Sequence, residues 1–577
     1  MFNALLIIVV TYIGFLLAYR LYGHFLGHKI FKLMLVKQTP AHQFQDGNDF
    51  IPTRKGVVFG HHFTSIAGTG PIVGPAIGVI WGWLPALIWV FLGSIFMGAV
   101  HDLGALVMSL RHQGLSVCDI AEQLVSKNVR LAFYCIVCFS LWIVIAIFGL
   151  VIAIIFNLFP ESVIPVWFEI PIAIIFGVYI RRFPSKFTLI TILAIFSMGV
   201  SVVIGHIAPV TLSPFLGIPV TGIWTVLLLI YAAIASVLPV DKLLQPRDYL
   251  NAWQLFIALG ILLLGALVCG LKGSLIMVAP AVVNQPTDAP SMMPFIFITI
   301  ACGAISGFHS LVASGTTAKQ LNNELDALPV GYGSMLIEGA LAVMVIVACC
   351  AGIGLGYPNE SGEIMTGVQA WNAHYFSWGA SAGLSSKLQA VVVGCANMMS
   401  AIGVKQSLGI VIMGVFIASF AGTTLDTSTR LQRYIISEIF EVNNWKVTVW
   451  GATSIAIISA AILAFSSGVS GKGALQLWPL FGALNQLLAT FGLGLLSIYL
   501  LSIKSKYVFV SALPFLFMAV MTIWACLENQ LSFFVARNWF LFFTNGIVIL
   551  IAGYILIALF TRIQQFRRQS NVKLKLN

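Results

Sequence analysis

The chain carries apolar runs of membrane-crossing length at about 2–19, 57–76, 84–108, 131–158, 163–180, 187–206, 218–240 and 253–270. They continue at about 292–315, 331–354, 388–420, 447–465, 474–500, 507–526 and 539–561. A helix needs about 20 residues to cross a bilayer core. The runs therefore predict an all-α, polytopic membrane protein with 15 crossings. The run at 388–420 is too long for one straight span and predicts a crossing plus a re-entrant or external half-helix around Lys405. Only 8% of the 577 residues are charged, against about 25% in a soluble domain. No polar stretch reaches the roughly 50 residues of a small soluble domain. Nine scattered cysteines, mostly inside apolar runs, imply no disulfide framework. The apolar N-terminus lacks the basic leader and small-residue cleavage site of a signal peptide and reads as a first span.

Charge tests this count. With the N-terminus outside and strict alternation, 25 of the 30 Lys and Arg fall in inner segments. The outer segments keep Lys272, Lys387, Lys472 and Arg537, and Lys405 stays within a span. Cytoplasmic loops carry the Lys/Arg excess of membrane proteins, so the C-terminus is expected in the cytoplasm. The net charge of +11 is then a topology signal and does not point to nucleic acid.

Polar residues interrupt two of the runs in related ways. Gly60-His61-His62-Phe63-Thr64-Ser65-Ile66-Ala67-Gly68-Thr69-Gly70-Pro71 is partly repeated in Gly307-Phe308-His309-Ser310-Leu311-Val312-Ala313-Ser314-Gly315-Thr316-Thr317. Phe63 aligns with Phe308, Ser65 with Ser310 and Ile66 with Leu311, and the Gly-Thr pairs align after a two-residue shift. In the alternating topology these two spans cross in opposite directions, as an inverted repeat requires. Seven spans separate the two starts and seven complete the second half, which also fits a 7+7 arrangement. Proline removes a helix hydrogen bond and glycine weakens a helix. Gly68, Gly70, Pro71, Gly74 and Pro75 therefore predict a broken helix, and a second break is expected around 313–316. Interrupted spans in corresponding halves point to a binding site. The candidates are His61, His62, Ser65, Gly68, Thr69, Gly70, His309, Ser310, Ser314, Gly315 and Thr316. His61 and His62 point about 100° apart on a helix, so they do not make a metal pair. A kinked packing helix, with histidines at the membrane interface, is the plainer alternative.

Titratable groups inside spans are costly and mark function, pairing or protonation. Glu338 lies roughly 12 Å into its span at 1.5 Å per residue, and Asp102 follows His101 about two turns from an inner end. Both are candidates for ion or proton coupling, with a helix-end pairing to Arg111 as the alternative for Asp102. Ser419, Thr423 and Thr424 offer oxygens to a cation. Asp426 and Arg430 stand at i, i+4 and are expected to pair as a structural anchor. Trp371, His374 and Trp378 in the outer segment 356–387 read as interface aromatics or as a lid. The ten dispersed histidines give no metal ligand set, so neither a metal nor another cofactor nor an enzyme activity is expected.

The chain resembles the carbon starvation protein A family of bacterial membrane transporters. The resemblance rests on Gly60-His61-His62-Phe63, Gly98-Ala99-Val100-His101-Asp102, Pro246-Arg247-Asp248-Tyr249-Leu250 and Ser306-Gly307-Phe308-His309. Ser314-Gly315-Thr316-Thr317, Gly331-Tyr332-Gly333 and Leu477-Trp478-Pro479-Leu480-Phe481-Gly482 extend it over most of the chain. The chain looks shorter than the family's longer members, whose insertions would fall near 356–387. The resemblance implies a LeuT-like secondary transporter of the bacterial inner membrane, taking up peptides or small carboxylates such as pyruvate under carbon limitation. The expected partners are a small-molecule nutrient, a coupling proton or sodium ion, and the lipid bilayer. The alternatives are sodium symport and a nutrient sensor. The expected organisation is a first span with a basic loop (1–56), one repeat (57–290) and a second repeat with a basic tail (291–577). The sequence carries no signal of oligomeric state.

Overall fold

The computed structural model describes residues 3–35, 38–358, 362–378 and 383–575, with side chains up to Arg567. Lys37, one of the inner-side basic residues, lies outside the described residues, as do the side chains of Arg568, Lys573 and Lys575. The main helices are α1 (Ala4–Ala18), α2 (Lys55–Ala67), α3 (Gly70–Gly78), α4 (Trp83–Arg111), α5 (Lys127–Leu158), α6 (Val163–Arg182), α7 (Phe187–Ile207), α8 (Val220–Val237) and α9 (Leu244–Leu271). They continue as α10 (Met292–Thr299), α11 (Gly307–Gly315), α12 (Ser334–Cys350), α13 (Leu384–Ser400), α14 (Gln406–Val442), α15 (Val449–Phe465), α16 (Trp478–Ser502), α17 (Phe509–Val535) and α18 (Trp539–Lys575). Among the described residues, 13 helical segments are long and apolar enough to cross a membrane. The other two predicted runs are α15, of 17 residues, and the broken pair α10–α11. The long run at 388–420 is two helices, α13 and α14, with Lys405 in the turn between them.

Both breaks have local causes. α2 stops at Gly68, whose φ of 36° and ψ of −147° suit glycine. α3 restarts with Pro71 in its first turn, where no intrahelical N–H is lost. The second break runs from Ile300 to Ser306 and turns on Gly303, at φ 89°. It lies before His309, whereas the motif alignment expected it around 313–316. That stretch is instead the C-terminal end of α11. The alignment matched side chains between two antiparallel segments, but the second break sits where Gly303 takes a left-handed φ and a neighbour takes up a freed donor. Here the Gly303 N–H donates to Glu338 Oε1 at 2.9 Å.

The two breaks touch. A Cβ on Gly70 would lie 2.3 Å from Cys302 Sγ, and one on Gly74 would lie 2.8 Å from the Thr299 carbonyl. Around them the helices pack in corresponding pairs. α2 packs on α9 as α10 packs on α16, and α5 packs on α8 as α14 packs on α15. α3 packs on α12 as α11 packs on α4. The most extensive helix contact, α5 with α14, joins the two series. α1, α6–α7, α13 and α17–α18 are additions to this scheme.

Contacts between connecting segments sort into two faces. On one, Arg430 pairs with Asp49 at 2.7 Å, Arg111 with Glu324 at 2.6 Å, Arg181 with Asp241 at 2.6 Å and Lys55 with Asp326 at 3.7 Å. On the other, the Ala4 N–H donates to the Leu275 carbonyl, Val278 to Cys350 and Trp83 to Pro280. The grouping is the one charge counting predicts. α2 leaves the basic face at Lys55, and the Trp81 indole that follows α3 bonds the Pro290 carbonyl just before α10. The two broken helices therefore run in opposite directions.

Gly307→Ala tests the seating of α11 on α16. Its Cβ would lie 2.3 Å from the Asn485 carbonyl oxygen, an overpacking expected to cost about 1–3 kcal/mol and to lower Tm in detergent. Gly260→Ala, with nothing within 4 Å, is the control expected to hold or raise Tm. Equal Tm values for the two variants would refute this packing.

Candidate functional site

Two buried polar networks flank α2 and the paired breaks. In the first, the His309 ring on α11 meets Asp102 of α4 through Nδ1 at 2.8 Å. Its Nε2 faces Glu338 Oε2 of α12 at 3.5 Å. The second oxygen of Asp102 bonds His101 Nδ1 at 2.9 Å. All four side chains are buried, at 0–1% exposure. An isolated charge at such depth is prohibitive, and hydrogen-bonded pairing is what makes these carboxylates tenable. A neutral imidazole donates from one nitrogen only, and an imidazolium donates from both. One proton therefore decides whether His309 can donate to one carboxylate or to two. Asn485 of α16 caps α11 by accepting the Phe308 N–H at 3.0 Å.

The second network centres on Arg247, in the first turn of α9. Its Nη1 reaches Asp426 of α14 at 2.5 Å and its Nη2 donates to Thr423 Oγ1 at 3.0 Å. Tyr231 of α8 also donates to Asp426, at 2.8 Å, and Asn251 donates to Thr423 at 3.2 Å. The neighbouring Asp248 holds His61 Nδ1 at 2.6 Å. Glu169, buried on α6, accepts from Ser419.

The predicted residues divide clearly. His61, His62, Asp102, His309 and Glu338 all reach buried polar partners around the breaks, His62 through Thr317 Oγ1 at 2.8 Å. Nε2 of His61, His62, His101 and His309 has no hydrogen-bond partner among the described residues. Ser65 and Thr427 share a hydroxyl contact at 3.1 Å. Ser310, Ser314 and Thr316 instead return their hydroxyls to carbonyls of α11. Gly315 is pressed against Leu431. Thr69 precedes α3 without capping it, and Gly68 abuts Thr424. The expected cation oxygens are engaged too. Ser419 serves Glu169, Thr423 faces the Arg247 guanidinium, and Thr424 Oγ1 lies 3.3 Å from the Phe420 carbonyl. Asp426 and Arg430 do not pair with each other. Asp426 takes Arg247 of α9 and the Tyr231 hydroxyl of α8, which reach the same carboxylate oxygen. Arg430 turns to Asp49, Tyr434 and the Leu238 carbonyl.

Sequence reasoning passed over Asp248, Glu169, Tyr231, Asn251 and Asn485. Glu169 was open to the rule applied to Glu338, a carboxylate inside an apolar run. Asp248 is the direct neighbour of Arg247 at the start of a span. Tyr231, Asn251 and Asn485 gave no signal, because single neutral polar residues are ordinary in such helices.

In the segment 356–387, Trp371 is buried and stacks on Tyr375, with ring centroids 4.2 Å apart. Tyr375 donates to the Ala76 carbonyl at 2.8 Å. These aromatics therefore cover the C-terminal end of α3 rather than marking a lipid interface. Burial, and then the nearby Lys387 ammonium, hold His374 down to about 4.

Asp248→Ala would leave His61 and Arg247 without that carboxylate. Breaking a buried pair by removing one partner costs about 3–5 kcal/mol, so a marked loss of Tm is expected. Asp248→Asn, which keeps an acceptor for His61, is expected to lose less. Equal losses in the two variants would show that hydrogen bonding to His61 contributes nothing.

Known proteins bear on this arrangement. The family model described as carbon starvation protein CstA matches residues 3–525. A Bacillus subtilis protein named peptide transporter CstA is 31% identical and aligns over 96% of both chains. An Escherichia coli protein named pyruvate/proton symporter BtsT is 32% identical over 91% of this chain and 81% of its own length. The peptide transporter CstA of Campylobacter jejuni is 31% identical over 92% of this chain and 81% of its own. Among solved structures, MhsT in complex with L-phenylalanine aligns over 87% of this chain and 98% of its own, with a TM-score of 0.45 and 12% identity. With a family model matched over nearly its whole length and relatives above 30% identity, the chain belongs to the carbon starvation protein CstA family of membrane transporters.

Proposed function

We propose that this protein is a secondary active importer of a small carboxylate-bearing nutrient, either a pyruvate-class acid or a short peptide, driven by proton inflow across the bacterial inner membrane. The observation that carries the reading is the direct apposition of two antiparallel broken helices at Gly70 and Cys302. α3 and α11 both begin at these breaks. Helix N-termini present free N–H groups and a partial positive charge, and they favour carboxylates. The relatives' names, peptide transporter and pyruvate/proton symporter, fit a carboxylate as the shared recognition element.

The repeat unit in this reading is five helices. α2–α3, α4, α5, α8 and α9 answer to α10–α11, α12, α14, α15 and α16, a LeuT-like scheme in preference to 7+7. Rocking of one helix set against the other would open the breaks alternately to each side. The basic face is the cytoplasmic one, which puts the N-terminus outside. The buried histidine–carboxylate pairs, with Asp102 and Glu338 among them, carry the coupling proton.

Uptake of labelled pyruvate and labelled dipeptides into proteoliposomes tests this. Accumulation is expected for one substrate class under an inward proton gradient, and a sodium gradient is expected to give none. Failure to accumulate either substrate, or uptake indifferent to the proton gradient, would sink proton symport.

A further inference from the structure

The ten histidines are dispersed in the sequence, but the fold gathers a ligand set that sequence reasoning did not expect. Cys302 in the second break, His309 on α11 and Glu338 on α12 place one ligating atom each within 4.8 Å of one another. Two of these atoms, His309 Nε2 and Glu338 Oε2, face each other at 3.5 Å on fully buried side chains, and neither has a hydrogen-bond partner among the described residues.

The spacing suits a tetrahedral ion. Zinc binds nitrogen and oxygen at about 2.0 Å and sulfur at about 2.3 Å, which puts neighbouring ligand atoms roughly 3.3–3.6 Å apart. The His–Glu pair already stands at that separation. From its limit of 4.8 Å, the thiol has to close in by no more than about 1.3 Å to reach the same edge length.

The outer supports are also in place. A ligating histidine usually gives its other ring N–H to a carboxylate, and a ligating carboxylate is itself hydrogen-bonded. His309 Nδ1 meets Asp102 Oδ2 at 2.8 Å, and Glu338 Oε1 accepts the Gly303 N–H at 2.9 Å.

We propose that Cys302, His309 and Glu338 bind one zinc-class divalent ion, leaving a fourth position for water or a carboxylate oxygen. Thiolate with imidazole selects zinc or cobalt over magnesium and calcium. The thiol proton leaves as the thiolate binds, so the two anionic ligands neutralise the ion's charge. The proposal does not depend on the transport reading; with the ion bound, His309 and Glu338 are ligands and the coupling proton falls to the His61–Asp248 pair.

The test uses the full chain, purified through a tag free of histidine, stripped with chelator and titrated with Co²⁺ and then Zn²⁺. One ion per chain is expected, with a near-ultraviolet thiolate-to-cobalt charge-transfer band. Cys302→Ser is expected to lose that band and to weaken zinc binding about tenfold or more. Glu338→Gln is expected to keep the band and weaken binding, and it serves as the second variant should Cys302→Ser fold poorly. The exposed His24 and His28, with ring centroids 5.4 Å apart, are the obvious adventitious site, so the His24→Ala/His28→Ala double variant is expected to bind as the parent does. Absence of stoichiometric binding, a band that survives Cys302→Ser, or binding lost in the double variant would overturn the proposal. Nutrient uptake, measured separately, fails or succeeds without affecting this result.

Discussion

A backbone that leaves the helix inside a bilayer has no water to bond, so every freed donor and acceptor needs a partner within the protein. That constraint organises the centre of this molecule. The second break exposes the Gly303 N–H, and a carboxylate, Glu338, is placed to receive it. The start of α11 exposes the Phe308 N–H, and the Asn485 amide oxygen receives that. Each solution puts a polar group in an apolar layer and so calls for a further partner. Glu338 brings His309, His309 brings Asp102, and Asp102 brings His101. The polar centre thus grows outward from two places where glycine lets the chain unwind.

The second network follows the same logic from a different start. Arg247 is always charged and fully enclosed, so it draws Asp426, Asp248, Tyr231 and Thr423 from three helices. The two networks lie on either side of α2. His61 on that helix bonds Asp248 in one network, while His62, the next residue, reaches Thr317 just beyond α11. Consecutive histidines, about 100° apart, therefore let one helix address both halves of the molecule.

Much of this was legible in the sequence. Hydropathy placed thirteen of the fifteen predicted runs on helical segments long and apolar enough to cross a membrane among the described residues, because such length and composition are read directly from sequence. Charge counting sorted the connecting segments into two faces, which the structure reproduces through pairs such as Asp49 with Arg430. The buried acids Asp102 and Glu338 and the histidines stood out as costly groups in apolar runs. Three things were not legible. The second break was placed too late, because side-chain similarity does not report which glycine reverses the backbone. Hydroxyls such as Ser310 and Ser314 looked available but are satisfied within their own helix, a local geometry that residue type alone does not reveal. Partner choice was also hidden. Asp426 has Arg430 one turn away along the helix, yet it pairs with Arg247 from another helix.

Main-chain hydrogen bonds join the connecting segments on both faces, Ile51 to Lys319 and Val240 to Asn48 among them on the basic one, where ion pairs are added. On the basic face the segments meet through ion pairs such as Arg111 with Glu324 and Arg181 with Asp241. On the opposite face they meet through main-chain hydrogen bonds, including Ala4 to Leu275 and Val278 to Cys350. Dissolved salt screens the first kind, over a Debye length of about 8 Å at physiological ionic strength, and leaves the second kind almost untouched. Ionic strength therefore acts on the more exposed pairs of the basic face, Arg181 with Asp241 and Lys55 with Asp326, and leaves the enclosed Arg430 with Asp49 and the main-chain bonds of both faces in place.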